Sequence, residues 1–267
     1  MVAHRLKRNR TPERPASLSR LEIEPKLSPM NPATLPPVLP GENHRSPAAP
    51  PAPALDFILW QLADSAFPTG GFAHSNGLEA AWQHGEVRGR DDLHAFVEAS
   101  LSQLGRASLP LMLATFDAPS RLREADAFCE ALLTNHVANR ASRIQGRAFL
   151  TAMERIFKCN RGAQPSPVTC HFAPVFGACL RGLEVSRGPA IRLFFFNHLR
   201  SVLAGAVRLN IVGPMEAQSM QHKLSTSAES VGRECENLTL DQIAQTAPLL
   251  DLWQGAQDRL YSRLFQS

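Results

Sequence analysis

The residues best suited to chemistry are packed into one stretch, DSAFPTGGFAHSNGLEAAWQHGE, residues 64–86. A Thr-Gly-Gly turn beside Phe, His, Ser and Glu could cradle a phosphate, form a nucleophile elbow, hold a metal or present a docking surface. A phosphate loop needs G-x-x-x-x-G-K-[ST], and the stretch has neither that spacing nor a following Lys. It also follows an apolar helical segment rather than a strand, which removes a dinucleotide loop. Ser65 and Ser75 lack the G-x-S-x-G setting of a nucleophile elbow. What remains is a tight turn between two helices, built by Pro68, Gly70 and Gly71, with Ser75 capping the second helix. Both glycines are expected to supply positive backbone angles that other residues resist.

Metal and acid–base chemistry find little more. Nine histidines are present, but none forms an HxxxH pair, and no Cys/His set has zinc-site spacing. Cys170 and His171 are adjacent in a loop and are the weak candidates for metal ligation. Glu79 and Glu98 read as exposed or capping carboxylates. Nothing assembles a nucleophile, a base and an oxyanion site, so the chain is expected not to be an enzyme.

The elements that must position these residues are helices. LDFILWQLADS is apolar on most sides. Asp91 is placed to cap a helix whose Leu93, Phe96, Val97, Leu101 and Leu104 form one stripe at steps of three or four. A helix from Ser120 is expected to bury Phe128, Leu132 and Leu133, and a long one spans about Ala138 to Phe157. APVFGACLRGLEV and PAIRLFFFNHLRSVLAGAVRLN add two more, the second with Pro189 in its first turn, where a missing N–H costs nothing. Phe194, Phe195 and Phe196 read as core. Clear period-two strands are missing. Residues 55–267 therefore read as a single all-α domain of eight or more helices.

Residues 1–54 read differently. Twelve of the 21 prolines fall in residues 1–53, without apolar periodicity, so a disordered Pro-rich basic tail is expected there. That tail also holds the charge. Residues 1–50 carry eight Lys/Arg and four Asp/Glu, a net of +4, and the rest nets to zero. A neutral helical domain argues against nucleic acid as a partner. No run approaches a membrane span, and five cysteines without a CxxC pair suit a reducing, cytoplasmic setting.

Four motifs in order resemble the F-type urease accessory proteins, a family of nickel-insertion chaperones. They are LWQLADSAFPTGGFAHSNGLEAA (59–81), PVFG (174–177), GAVRL (205–209) and LLDLWQGAQDRLYSRLFQS at the end. The wording FPTGGFAHS is closer to eukaryotic members. The resemblance covers about Leu55 to Ser267. It implies an all-α, non-catalytic homodimer that binds a D/H-type accessory protein and a G-type GTPase, and with them delivers Ni²⁺ to apo-urease as GTP is hydrolysed. Nickel would be handled in transit, with no stably bound cofactor. Two places depart from the family: VGPMEAQ (212–218), and Gln257, Asp258 and Arg259 before the Tyr. The alternatives are a helical adaptor unrelated to urease, or a metal-binding protein using His74, His84 and Cys170-His171.

On this resemblance, Gly70, Gly71, Phe72, His74, Ser75 and Glu79 of the turn, together with Arg208, are candidate partner-binding residues. So are Arg259, Tyr261, Ser262, Arg263, Leu264 and Phe265. His74 could equally be a satisfied polar side chain behind the turn, and Arg208 could neutralise a helix dipole or pair with a buried acid. In the last segment Trp253, Ala256, Leu260 and Leu264 would share one helical face and Arg259 and Arg263 another. That segment is expected to serve a partner, so cutting after Gly255 would leave a folded protein. Deletion of residues 1–53 should shift the melting temperature by no more than about 2 °C, less than the effect of losing 1 kcal/mol of folding energy. Scanning calorimetry of the two chains checks this.

Overall fold

A computed structural model describes residues 54–158 and 169–267. The tail expected over residues 1–54 lies, Ala54 apart, outside the described residues, as do Cys159 and residues 160–168. The described residues belong to one compact unit, Ala52–Ser267. All of their regular structure is helical. In chain order the α-helices are α1 (Leu55–Ala63), α2 (Leu78–Gln83), α3 (Arg90–Gln103), α4 (Leu109–Asp117), α5 (Leu122–Leu132), α6 (His136–Ile156), α7 (Phe172–Gly182), α8 (Arg187–Arg208), α9 (Pro214–Cys235) and α10 (Pro248–Ala256). A π-turn, Leu104–Ser108, joins α3 to α4.

The centre is α7, because its sequence leaves it no polar face. Ala173 to Leu180 are all buried, and a helix apolar on every side must be surrounded. It packs chiefly on α4 and α6. Gly177 makes the α4 crossing possible: a Cβ there would lie 2.0 Å from the Met112 carbonyl oxygen. Thr115 Oγ1 fills the crossing by donating to the Pro174 carbonyl at 2.7 Å. Phe176 meets the rings of Phe149 and Phe194 at 5.2 and 5.4 Å between centroids, in tilted contacts suited to the ring quadrupole.

Two polar clamps orient the helices around α7. Asn135 caps α6, its Oδ1 accepting from the Val137 and Ala138 amides, while its Nδ2 donates to the Asp251 carbonyl at 2.6 Å and ties α6 to α10. Buried Asp126 accepts from the Thr169, Cys170 and His171 amides at 2.8, 3.2 and 2.7 Å, fixing the entry to α7. Gly146 lets that entry touch α6, since a Cβ would sit 1.9 Å from the Cys170 carbonyl oxygen.

Local patterning misplaces several side chains. Asp91 does not cap α3: the N-cap is Gly89, and it is Asp92 that reaches back to the Arg88 amide at 3.0 Å. Phe128 is exposed on α5, which instead buries Leu122, Ala125 and Cys129. Phe196 is exposed while Phe194 and Phe195 are core, because α8 touches neighbours on only part of its circumference. Leu62 is the one buried residue of α1, whose Phe57 and Trp60 form an exposed edge-to-face pair.

Gly177→Ala would force an overlap with backbone, which cannot move aside as a side chain can. The expected cost is about 3 kcal/mol, a fall of roughly 6–12 °C in melting temperature. Gly188→Ala, with its nearest neighbour the far end of Arg192 at 3.8 Å, should change it by about 1 °C at most. Thermal unfolding of the two variants measures both.

Candidate functional site

Three of the four sequence motifs converge in space: the turn, the end of α8, and the segment after α10. At the turn Gly70 adopts φ +72° and Gly77 φ +86°, both left-handed. Gly71 does not, so its expected positive angle is corrected. Gly77 carries a further constraint, because its Cβ would lie 3.0 Å from the Gln254 backbone nitrogen of α10. Ser75 does not cap α2: the N-cap is Gly77, and the buried Ser75 Oγ has no hydrogen-bond partner.

The expected helix through Leu264 stops early. α10 ends at Ala256, a single 3-10 turn covers Gln257–Arg259, and residues 260–267 run without regular structure across the turn. Backbone bonds pin this run to the turn, Gln266 N donating to the Ala73 carbonyl at 2.8 Å and Ser75 N to the Ser267 carbonyl at 2.6 Å. The shared helical faces of Leu260 with Leu264 and of Arg259 with Arg263 do not exist. Phe265 is buried and Leu264 exposed, in a run that bends at both residues.

Glu79 is the largest departure from the sequence reading. It is buried on α2, neither exposed nor capping. Its Oε1 accepts from the Leu264 amide at 2.6 Å, and its Oε2 from the Phe265 amide at 3.1 Å and Gln257 Nε2 at 2.5 Å. Arg208 grips the same segment from α8. Its guanidinium lies 4.0 Å from the Phe72 ring centroid and 4.1 Å from that of Phe265, and donates to the carbonyls of Phe72 at 2.7 Å and Leu264 at 3.4 Å. Each cation–π face contributes about 0.5–2 kcal/mol, depending on how dry it is.

A charged knot holds the base of the segment. Asp258 accepts from Arg140 at 2.9 Å and Arg263 at 3.0 Å, with His136 at 3.2 Å. The Arg140 hydrogen bond is the main reason its carboxyl sits below the usual range. Ser262 gives its carbonyl to Gln83 Nε2 at 2.9 Å, Arg259 is exposed, and Tyr261 is fully exposed. Phe72 at 66 % and Leu264 at 54 % exposure present apolar surface on either side of Arg208, whose guanidinium bonds the carbonyls of both. The roles of Gln257, Asp258 and Arg140 carry no local sequence signal, since Glu79 and Arg140 lie more than a hundred residues from their partners in this segment.

His74 is buried behind the turn and hydrogen-bonds through Nδ1 to Ser267 Oγ. Burial first, then the charge of Arg140, lowers its pKa to about 4. His171 is also fully buried. Its Nε2 lies 2.7 Å from Glu130 Oε2 and its Nδ1 3.1 Å from Ser142 Oγ, so metal ligation would break a bond already made. His84 instead lies against the Trp253 ring. Among the described residues no group of three or more His, Cys, Asp or Glu could hold a metal ion.

With that geometry in view, the UreF family model matches residues 87–225. Urease accessory protein F of Arabidopsis thaliana is 38 % identical over 223 residues, covering 80 % of this chain and 93 % of the relative. The chain belongs to the UreF family. Urease accessory protein F of Oryza sativa subsp. indica is 35 % identical over 216 residues, 77 % of this chain and 83 % of the relative. A UreF-like protein of Schizosaccharomyces pombe is 30 % identical over 224 residues, covering 77 % and 94 %. The family model ends before the C-terminal segment and begins after the turn, so the convergence joins regions on both sides of it.

Two histidines, His74 buried and His198 half-buried, are expected to set an acid limit for this member of the UreF family. His198, on the wall of a cavity of about 310 Å³, is lowered to about 4 by burial, as His74 is. Unfolded, each takes up a proton near pH 6.5; folded, only near pH 4. The unfolded chain therefore binds more protons between those values. Stability should be flat above about pH 6.5 and fall toward pH 4, by up to about 1.4 kcal/mol per pH unit per histidine. Urea unfolding from pH 4.5 to 7.5 measures the slope, and His198→Gln should remove one histidine's share.

Proposed function

We propose that this chain is a non-catalytic scaffold of urease maturation. In this reading the ridge of Phe72, Tyr261 and Leu264, flanked by Arg259 and Arg263, docks a D/H-type accessory protein. A G-type GTPase joins the same assembly, and Ni²⁺ passes to apo-urease in the cytoplasm as GTP is hydrolysed. The observation that carries the reading is the convergence itself. Phe72 and Leu264 are large, exposed and fixed from beneath by Arg208 and Glu79, and Tyr261 is fully exposed in the same segment as Leu264. Exposed aromatics beside arginines have the composition of an interface hot spot.

Family membership supports the urease setting over an unrelated helical adaptor. Nickel is cargo in this account, so the chain needs no resident metal site. The α1 pair, Phe57 and Trp60, supports a homodimer, because two exposed aromatics packed on one short helix make an apolar patch suited to being covered.

Co-purification of the full chain with its cognate D/H-type protein and GTPase tests the scaffold. Tyr261→Ala with Leu264→Ala should abolish capture of the D/H-type protein and leave the melting temperature within about 3 °C, because both side chains are largely in water already. Retained capture would move the interface elsewhere. The purified chain alone should hydrolyse neither urea nor GTP, by ammonia and phosphate release assays.

A further inference from the structure

We propose that Glu79 is the positioning residue of the docking ridge: it sets the shape that a partner reads without touching the partner. The inference rests on the docking reading above. Residues 260–267 have no helix or strand to fix their path, so their conformation is decided by what grips them. Leu264 is gripped on both sides of its Cα. Its N–H donates to Glu79 Oε1 at 2.6 Å, and its carbonyl accepts from Arg208 Nη2 at 3.4 Å. The next N–H, of Phe265, donates to Oε2 of the same carboxylate. Leu264 is exposed and Phe265 buried, so the two amides that Glu79 holds belong to one side chain in solvent and one in the core.

The chemistry needed at position 79 is specific. Three N–H groups converge there, from Leu264, Phe265 and Gln257. A carboxylate is acceptor-only and can satisfy all three, whereas a Gln of the same size would turn an NH₂ toward donors. Glu79 is 2 % exposed, so any effect it has on a partner travels through the segment it holds.

The test uses the full chain with the cognate D/H-type accessory protein as the probe. In Glu79→Gln, amide hydrogen exchange at Leu264 and Phe265 should rise at least tenfold while the α4 amide of Met112 is unchanged, and partner affinity should fall at least tenfold. Glu79→Asp, which keeps the acceptor and loses a methylene, should bind better than Glu79→Gln. A role in packing alone gives the reverse order, because Gln preserves the volume, and that order would overturn the proposal. So would faster exchange at the two amides with unchanged affinity. If Glu79→Gln does not fold, Glu79→Asp carries the test, with intermediate exchange and affinity expected and wild-type values for both overturning the proposal. Tyr261→Ala with Leu264→Ala separates the two ideas. Undiminished affinity in that double variant overturns the docking reading, whereas a loss there with none in Glu79→Gln overturns only the role of Glu79.

Discussion

The guanidinium of Arg208, held between the rings of Phe72 and Phe265, joins parts of the chain that share no local sequence. Its planarity is what allows this. A flat guanidinium can lie within about 4 Å of both rings while its N–H groups donate to the carbonyls of Phe72 and Leu264. A lysine ammonium has no second face and no fork. Because one face of Phe72 lies on the guanidinium, its other face is left toward solvent, and the ridge owes its orientation to that arrangement.

Arg208 and Glu79 carry opposite charges, yet they do not neutralise each other. Each is spent on the backbone of the same segment, one taking its N–H groups and the other its carbonyl. A buried carboxylate satisfied by three N–H donors is costly to strip of them, since it would keep its desolvation penalty and lose the compensation. Residues 257–267 therefore belong to the fold as well as to the surface. Removing them would uncover the Gly205 and Leu78 neighbourhood against which Phe265 packs and would leave Glu79 without its donors. The expectation that the chain could be cut after Gly255 and stay folded is reversed on that ground.

The residues around Arg208 sit on a frame that comes from close backbone approaches. Gly177 brings α7 onto α4, and Gly146 brings the entry of α7 onto α6. Backbone in contact with backbone has few rotamers to relax into. The PVFG motif is thus a packing requirement far from the ridge, while GAVRL places Gly205 under Phe265 and Arg208 beside it within one helical turn.

The sequence by itself determined the helices and the family. The 3.6-residue periodicity of Leu93, Phe96, Val97 and Leu101, the all-apolar run of α7 and the four ordered motifs are local properties, and the structure follows them. It could not determine which side of Phe128 or Phe196 meets a neighbour, because exposure depends on helices that arrive from elsewhere. Nor could it show that Glu79 is buried, that Arg208 is stacked, or that the last residues abandon the helix their spacing suggests. Those outcomes rest on partners 56 to 186 residues away. Only the closed tertiary structure brings such groups within hydrogen-bonding distance, and there the three donors facing Glu79 outweigh the helical propensity of the segment that supplies them.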